Sequence, residues 1–174
     1  TYNIVDSAQN IAGSTNAVLA LAGTVTANTN ARHNQADTIS AFTKAVIYSV
    51  EGTTAELVGI TDLARNEAVN LVSTSSADVA QAKPITDATN SGSNTFNVSD
   101  TTAAIVAGIS ADSTSLLGAG TITVSDTANV VQETSLSGLS KAVVYSLLDT
   151  AANIAASNQA TRDEAVNIST SDTA

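Results

Sequence analysis

Large apolar residues recur along this chain at one fixed offset. Tyr2, Val25, Tyr48, Leu71, Phe96, Ile122, Tyr145 and Ile168 each stand four positions before a residue that is most often aspartate. That reference column reads Asp6, Thr29, Gly52, Ser75, Asp100, Asp126, Asp149 and Asp172, with spacings of 23, 23, 23, 25, 26, 23 and 23 residues. Two positions further on stand Ala8, Ala31, Thr54, Ala77, Thr102, Ala128, Ala151 and Ala174. A period of this length marks a solenoid, in which each repeat buries its apolar face only against its neighbours.

Each repeat contains two hydrophobic periods. Tyr2-Asn3-Ile4-Val5, Phe96-Asn97-Val98-Ser99, Ile122-Thr123-Val124-Ser125 and Tyr145-Ser146-Leu147 place apolar residues two apart, the pattern of a strand with one buried face. Ile11, Ala12, Val18, Leu19 and Ala22 follow the first strand, and Leu57, Ile60, Leu63, Ala64 and Ala68 follow the third. Steps of three and four put these on one helical stripe, about three turns long. The aspartate column falls where strand gives way to helix, so a side-chain oxygen there is expected to cap the helix that follows it. Parallel strands joined by helices then predict an α/β fold: a leucine-rich-repeat-like β/α solenoid of about eight turns, with all strands in one parallel sheet. Its turns start near residues 1, 24, 47, 70, 95, 121, 144 and 167, and residues 1–174 form a single repeat array. An all-β helix is the rival, but the alanine content and three/four spacing of 8–22 and 57–68 oppose it.

Longer periods are nested in the first. Odd turns carry an aromatic residue in the apolar column (Tyr2, Tyr48, Phe96, Tyr145) and even turns an aliphatic one; the even turns also share a glutamine that the odd turns lack (Gln35, Gln81, Gln132). Lys44-Ala45-Val46-Ile47-Tyr48-Ser49 returns 97 residues later as Lys141-Ala142-Val143-Val144-Tyr145-Ser146, and Arg65-Asn66-Glu67-Ala68-Val69-Asn70 returns as Arg162-Asp163-Glu164-Ala165-Val166-Asn167. Four turns were duplicated as a block. Asn90-Ser91-Gly92-Ser93-Asn94 is expected to be a flexible insertion, Gly118-Ala119-Gly120 to end a helix, and Pro84 to shorten or kink the helix of the fourth turn.

Composition narrows the function classes. Aromatic residues are 3% of the chain and Trp and Met are absent, so the core is built from Ala, Val, Ile and Leu. Without cysteine there is neither a disulfide framework nor a thiolate metal site. A net charge of −10 and six scattered basic residues argue against nucleic acid. No apolar run reaches membrane-span length, so no membrane insertion is expected. The closing Ser171-Asp172-Thr173-Ala174 falls inside a repeat, which reads as a slice of a longer array.

Candidate chemistry is sparse, and no catalytic residue or cofactor site is read. His33, the one histidine, sits between Arg32 and Asn34 with no nucleophile or zinc motif nearby and reads as a surface residue. Asp100, Asp126, Asp149 and Asp172 align on successive turns: helix caps on one reading, a calcium ladder on the other. The glycine-rich repeat of calcium-binding β-rolls is absent, so folding is expected not to need metal. The third candidate is the polar strand face, one residue past the apolar column: Asn3, Thr26, Ser49, Asn97, Thr123 and Ser146. Such a face suits a glycan or ice, and it also suits plain solvation. Asn97-Val98-Ser99 and Asn167-Ile168-Ser169 match the glycosylation sequon.

The phrases Tyr145-Ser146-Leu147-Leu148-Asp149-Thr150-Ala151-Ala152-Asn153-Ile154-Ala155 and Ile122-Thr123-Val124-Ser125-Asp126-Thr127-Ala128 resemble the Asp-Thr-Ala-x-Asn-Ile-Ala tandem repeats of very large bacterial secreted and surface proteins, adhesins and surface-layer-like proteins among them. The resemblance covers essentially the whole chain, with departures at Thr29 and Gly52. It implies an extracellular, cell-surface location and a non-enzymatic role as stalk, coat or adhesive scaffold. Uncapped solenoid ends expose apolar layers and strand edges, so self-association or contact with neighbouring repeats is the expected partnership. An adhesive module using the Thr/Ser/Asn face is the alternative.

Overall fold

The computed structural model describes residues 2–172; the Ala174 position of the repeat lies outside them. Eight strands alternate with helices: β1 (Tyr2–Asp6), α1 (Ala8–Ala12), α2 (Asn16–Leu19), β2 (Ala22–Ala27), α3 (His33–Ser40), β3 (Val50–Gly52), α4 (Thr54–Gly59), α5 (Asp62–Glu67), β4 (Leu71–Ala77) and α6 (Val79–Thr86). There follow β5 (Asn94–Asp100), α7 (Thr102–Asp112), α8 (Thr114–Leu117), β6 (Ile122–Ala128), α9 (Val130–Ser137), β7 (Val143–Asp149), α10 (Ala151–Ala156), α11 (Gln159–Arg162) and β8 (Asn167–Thr170). The fold is mixed α/β, with a six-stranded parallel sheet in the order β3 to β8. The expected single sheet is instead two, because β1 and β2 form a separate parallel pair. The chain divides into two compact units, one running to Ser76 and including Pro84–Phe96, the other comprising Ala77–Lys83 and the residues from Asn97 on.

In the first unit β1 meets β2 with Ile4 beside Val25, and β3 meets β4 with Val50 beside Leu71. Among the described residues, two isolated parallel pairings, Thr26 with Ile47 and Ala31 with Val50, join the β2 segment to the third turn. The expected three-turn helix is broken on the odd turns into a pair, α1/α2 or α4/α5, whereas the even turn keeps one eight-residue helix, α3. In α4/α5 the break comes from an internal cap: the Thr61 hydroxyl accepts the Ala64 N–H at 3.2 Å, while its own N–H and O–H donate to Asp37. Breaking the helix rotates the stripe, so Val18 and Leu63 face outward while Ile11, Leu19, Leu57, Ile60 and Ala64 are buried. Ala22 belongs to β2 rather than to a helix. Tyr2 of β1 and Tyr48, two residues before β3, reach the second helix of their turns at one spacing: Tyr48 Oη donates to Ala64 O at 2.9 Å, and Tyr2 Oη to Val18 O at 3.4 Å.

The Asn90–Asn94 segment is pinned rather than free. Asn90 and Asn94 exchange side-chain hydrogen bonds at 2.8 and 3.0 Å, and Asn90 Nδ2 donates to Val69 O at 2.9 Å. Gly92 lies against Val69 O and Asn70 Oδ1 so closely that a Cβ would overlap both. Gly92→Ala is therefore expected to lower stability by about 1–3 kcal/mol, because a backbone carbonyl must move. Gly59→Ala, with nothing near its Cβ position, is expected to be neutral or stabilising by about 0.5–1 kcal/mol. Urea unfolding of the two variants side by side is the check; equal midpoints would refute the packing argument.

In the second unit the odd turns again carry helix pairs, α7/α8 and α10/α11, and the even turn a single α9. Pro84 lies inside α6, which at eight residues matches α3 and α9, so the expected shortening is not seen. So short a helix has few internal hydrogen bonds, and one missing N–H costs it little length. Gly118 caps α8, as its glycine predicts. β6 pairs with β7 through Ile122 beside Val143, then Thr127 beside Ser146, so β6 bulges between Thr123 and Thr127. Tyr145 repeats the strand-to-helix tie through Thr161 O at 2.9 Å. Burial pushes its phenol up to about 12, with the charges of Glu133 and Glu164 adding to the effect.

Candidate functional site

The reference column is a set of latches between turns. Side-chain oxygens of Thr29, Ser75, Asp100, Asp126, Asp149 and Asp172 accept the N–H of Ala8, Thr54, Val79, Thr102, Val130 and Ala151, at 3.0, 2.9, 3.0, 2.7, 3.1 and 2.6 Å. Each acceptor caps the first helical residue of the preceding turn, about 20 residues back, rather than its own helix as expected. Its own helix is capped by a later residue. On odd turns this is the next one: Ser7, Thr53, Thr101 and Thr150 accept N–H bonds from Asn10, Glu56, Ala104 and Asn153. On even turns the helix starts two residues later, and the unexplained glutamines supply the third residue of a capping box. Asp78 N–H donates to Gln81 Oε1 and Gln81 N–H back to Asp78, and Asn129 with Gln132 repeats the exchange. Arg32 N–H likewise donates to Gln35 at 2.9 Å.

These bonds shape the acid response. The Thr102 hydroxyl and N–H hold the Asp126 carboxyl below the usual carboxylate range; Asn153, Val130 and Thr150 do the same for Asp149. Thr114 and Lys83 lower Asp112, and Thr53 lowers Glu56. A carboxyl that ionises more readily folded than unfolded adds stability above its ordinary value and loses it as pH falls through the folded one. Stability is therefore expected to hold down to about pH 4 and to drop below it. Relief of repulsion in a chain of net charge −10 works the other way above that range. Asp126→Asn should flatten the acid limb; thermal midpoints from pH 7 to 2 give the test, and an unchanged limb would refute it.

As a calcium ladder the aspartates are poorly placed. The oxygens of Asp100, Asp126, Asp149 and Asp172 are aimed at N–H donors, and no group of three or more His, Asp or Glu side chains gathers among the described residues. Four of the six polar strand-face candidates also bond between turns. Asn3 accepts the Thr24 N–H at 3.2 Å and Asn97 the Thr121 N–H at 3.0 Å. Ser49 and Ser146 accept from the amides of Asn70 and Asn167 at 3.2 and 3.4 Å. Thr26 and Thr123 are half-buried. Asn3, Ser49, Asn97 and Ser146 thus fasten one turn to the next.

Turn two lacks its latch, because Gly52 has no side chain to offer. Polar groups collect there instead: Arg32 pairs with Glu51 at 3.5 Å, His33 Nδ1 lies 3.3 Å from Glu56, and Asn30 Nδ2 donates to Glu51 at 2.9 Å. His33 is exposed, as expected. Two further residues matter that periodicity alone did not single out. Buried Arg65 bonds the carbonyls of Leu57, Val58 and Ile60 and pairs with Asp62. Glu133 is fully buried, and neither of its carboxylate oxygens has a hydrogen-bond partner. Among the described residues no helix is long and apolar enough to cross a membrane. No known protein family, curated protein or solved structure matches the chain.

Proposed function

We propose that the chain is a structural repeat segment of an extracellular bacterial surface protein: an eight-turn β/α solenoid serving as a spacer or self-associating coat, without enzymatic activity. The observation that carries this reading is the latch column, in which turns cap the helix starts of their predecessors at six positions from Ala8 to Ala151, with turn two the exception. Side chains that an active site would free are spent on holding neighbour to neighbour, the economy of a repeat scaffold. Exposed apolar residues within the array, Leu21, Leu63 and Val131 among them, support association. Antibody against the purified chain is expected to label intact cells of the producing bacterium, and light scattering to give a mass that rises with concentration. Labelling that appears only after lysis would overturn the surface assignment, and a constant monomer mass would overturn the coat.

A further inference from the structure

Beside the missing latch, the backbone pairing between the second and third turns is also irregular. A regular parallel ladder would pair the Ser49 N–H with Ala27 O and the Thr29 N–H with Ser49 O. Instead Ala27 N–H donates to Ile47 O at 2.9 Å, and the next bond is Ala31 N–H to Ser49 O at 2.7 Å. Residues 28–30 bulge out between these two bonds, and neither the Thr29 nor the Ser49 N–H is paired with a described residue. The bulge opens a cleft of about 450 Å³ lined by Asn28, Thr29, Asn30, Ile47, Ser49 and Val69 among others. That volume lies in the lower part of the range of small-molecule sites.

We propose that this cleft binds a neutral, polyhydroxylated ligand of the sugar class. The polar groups around it have spare capacity of the right kind. The exposed amide of Asn28 makes no side-chain hydrogen bond, so it can both donate and accept. The hydroxyl oxygens of Thr29 and Ser49 already accept from Ala8 N–H and Asn70 Nδ2, which leaves their O–H groups to donate. Asn30 gives its amide N–H to Glu51 and retains its carbonyl oxygen. Two backbone N–H groups complete a donor-rich, uncharged set, which suits hydroxyls that accept and donate alike. Ile47, 52% exposed, supplies an apolar surface for the C–H face of a ring. A charged ligand fits less well, because no ionisable side chain but the buried Tyr48 lines the cleft and the neighbouring Arg32 and Glu51 neutralise each other.

The test is an amide-resolved NMR titration of the full chain with glucose, galactose, mannose and N-acetylglucosamine in turn. At least one is expected to give saturable shifts centred on the Thr29 and Ser49 amides, with Kd on the order of 1–10 mM. Asn28→Ala, which removes an exposed side chain that makes no hydrogen bond and keeps the backbone bond to Asp6 O, should weaken that response about fivefold and leave the rest of the spectrum in place. No saturable shift from any probe up to about 100 mM would overturn the proposal while leaving the scaffold reading standing. Shifts centred instead on Thr26, Asn97 and Thr123 would also overturn it, and would assign binding to the strand face.

Discussion

Replacing Arg65 by alanine is expected to cost the fold about 2–4 kcal/mol, the largest loss of any single truncation considered for this chain. Arg65 is 7% exposed, and its guanidinium lies where α4 ends and α5 begins. Its Nη1 donates to the carbonyls of Leu57, Val58 and Ile60 at 3.0, 2.9 and 3.2 Å, and Nη2 pairs with Asp62. Those carbonyls close a helix and have no further intrahelical donors, so removing the arginine strands them in a largely apolar setting. Lysine should recover little, because a point ammonium cannot present the planar fork that serves three carbonyls and a carboxylate together. The duplicated block supplies an internal control. Arg162, 97 residues later, bonds Ile154 O, Ala155 O and Ser157 O in the same way but is only half-buried. Water can replace it there, and Arg162→Ala should cost less than half as much. Urea midpoints at unchanged slope measure both. Equal losses at the two sites would show that burial is not what makes Arg65 matter.

Much of this was legible in the sequence, and the division between legible and hidden has physical causes. Strand and helix segments could be read because alternation and three/four spacing report which side chains are buried, as at Phe96/Val98 and Leu57/Ile60. The paired helices of the odd turns were harder, because Thr61 is a polar residue on an otherwise continuous stripe and its capping role depends on Asp37 in the previous turn. The aspartate column was visible as a column, yet its partners were not. Asp100 stands 21 residues from Val79, and a one-dimensional pattern cannot tell its own helix start from the neighbour's. The glutamine box was available in principle: Asp78 and Gln81, or Asn129 and Gln132, have the three-residue spacing that a capping box demands. The missing latch beside the break between β2 and β3 also had a signal, a glycine in a column whose later members supply an oxygen. Arg65 escaped because its partners are backbone carbonyls, which every residue has.

Glu133→Met is expected to move stability the other way, by about 1–3 kcal/mol in favour of the fold. At this chain length that corresponds to a rise in Tm of roughly 2–4 °C per kcal/mol. The even turns share a position directly after their glutamine, occupied by Ala36, Ala82 and Glu133, and all three residues are 0% exposed. Two of them are apolar, and the third places two carboxyl oxygens without hydrogen-bond partners in the same layer. Burying a polar group with nothing to bond is unfavourable in any case, and methionine keeps the length of the stem while removing both oxygens. Glu133→Gln, which retains unpartnered polar atoms, should gain much less. A second readout is independent of stability. Glu133 is one of the charges that, after burial, raise the Tyr145 phenol to about 12, so its removal should bring that titration down, and ultraviolet absorbance of the phenolate follows it directly. A lower Tm in Glu133→Met together with an unmoved Tyr145 titration would mean that the carboxylate is held by a partner away from the tyrosine, and that turn six is built around it rather than despite it.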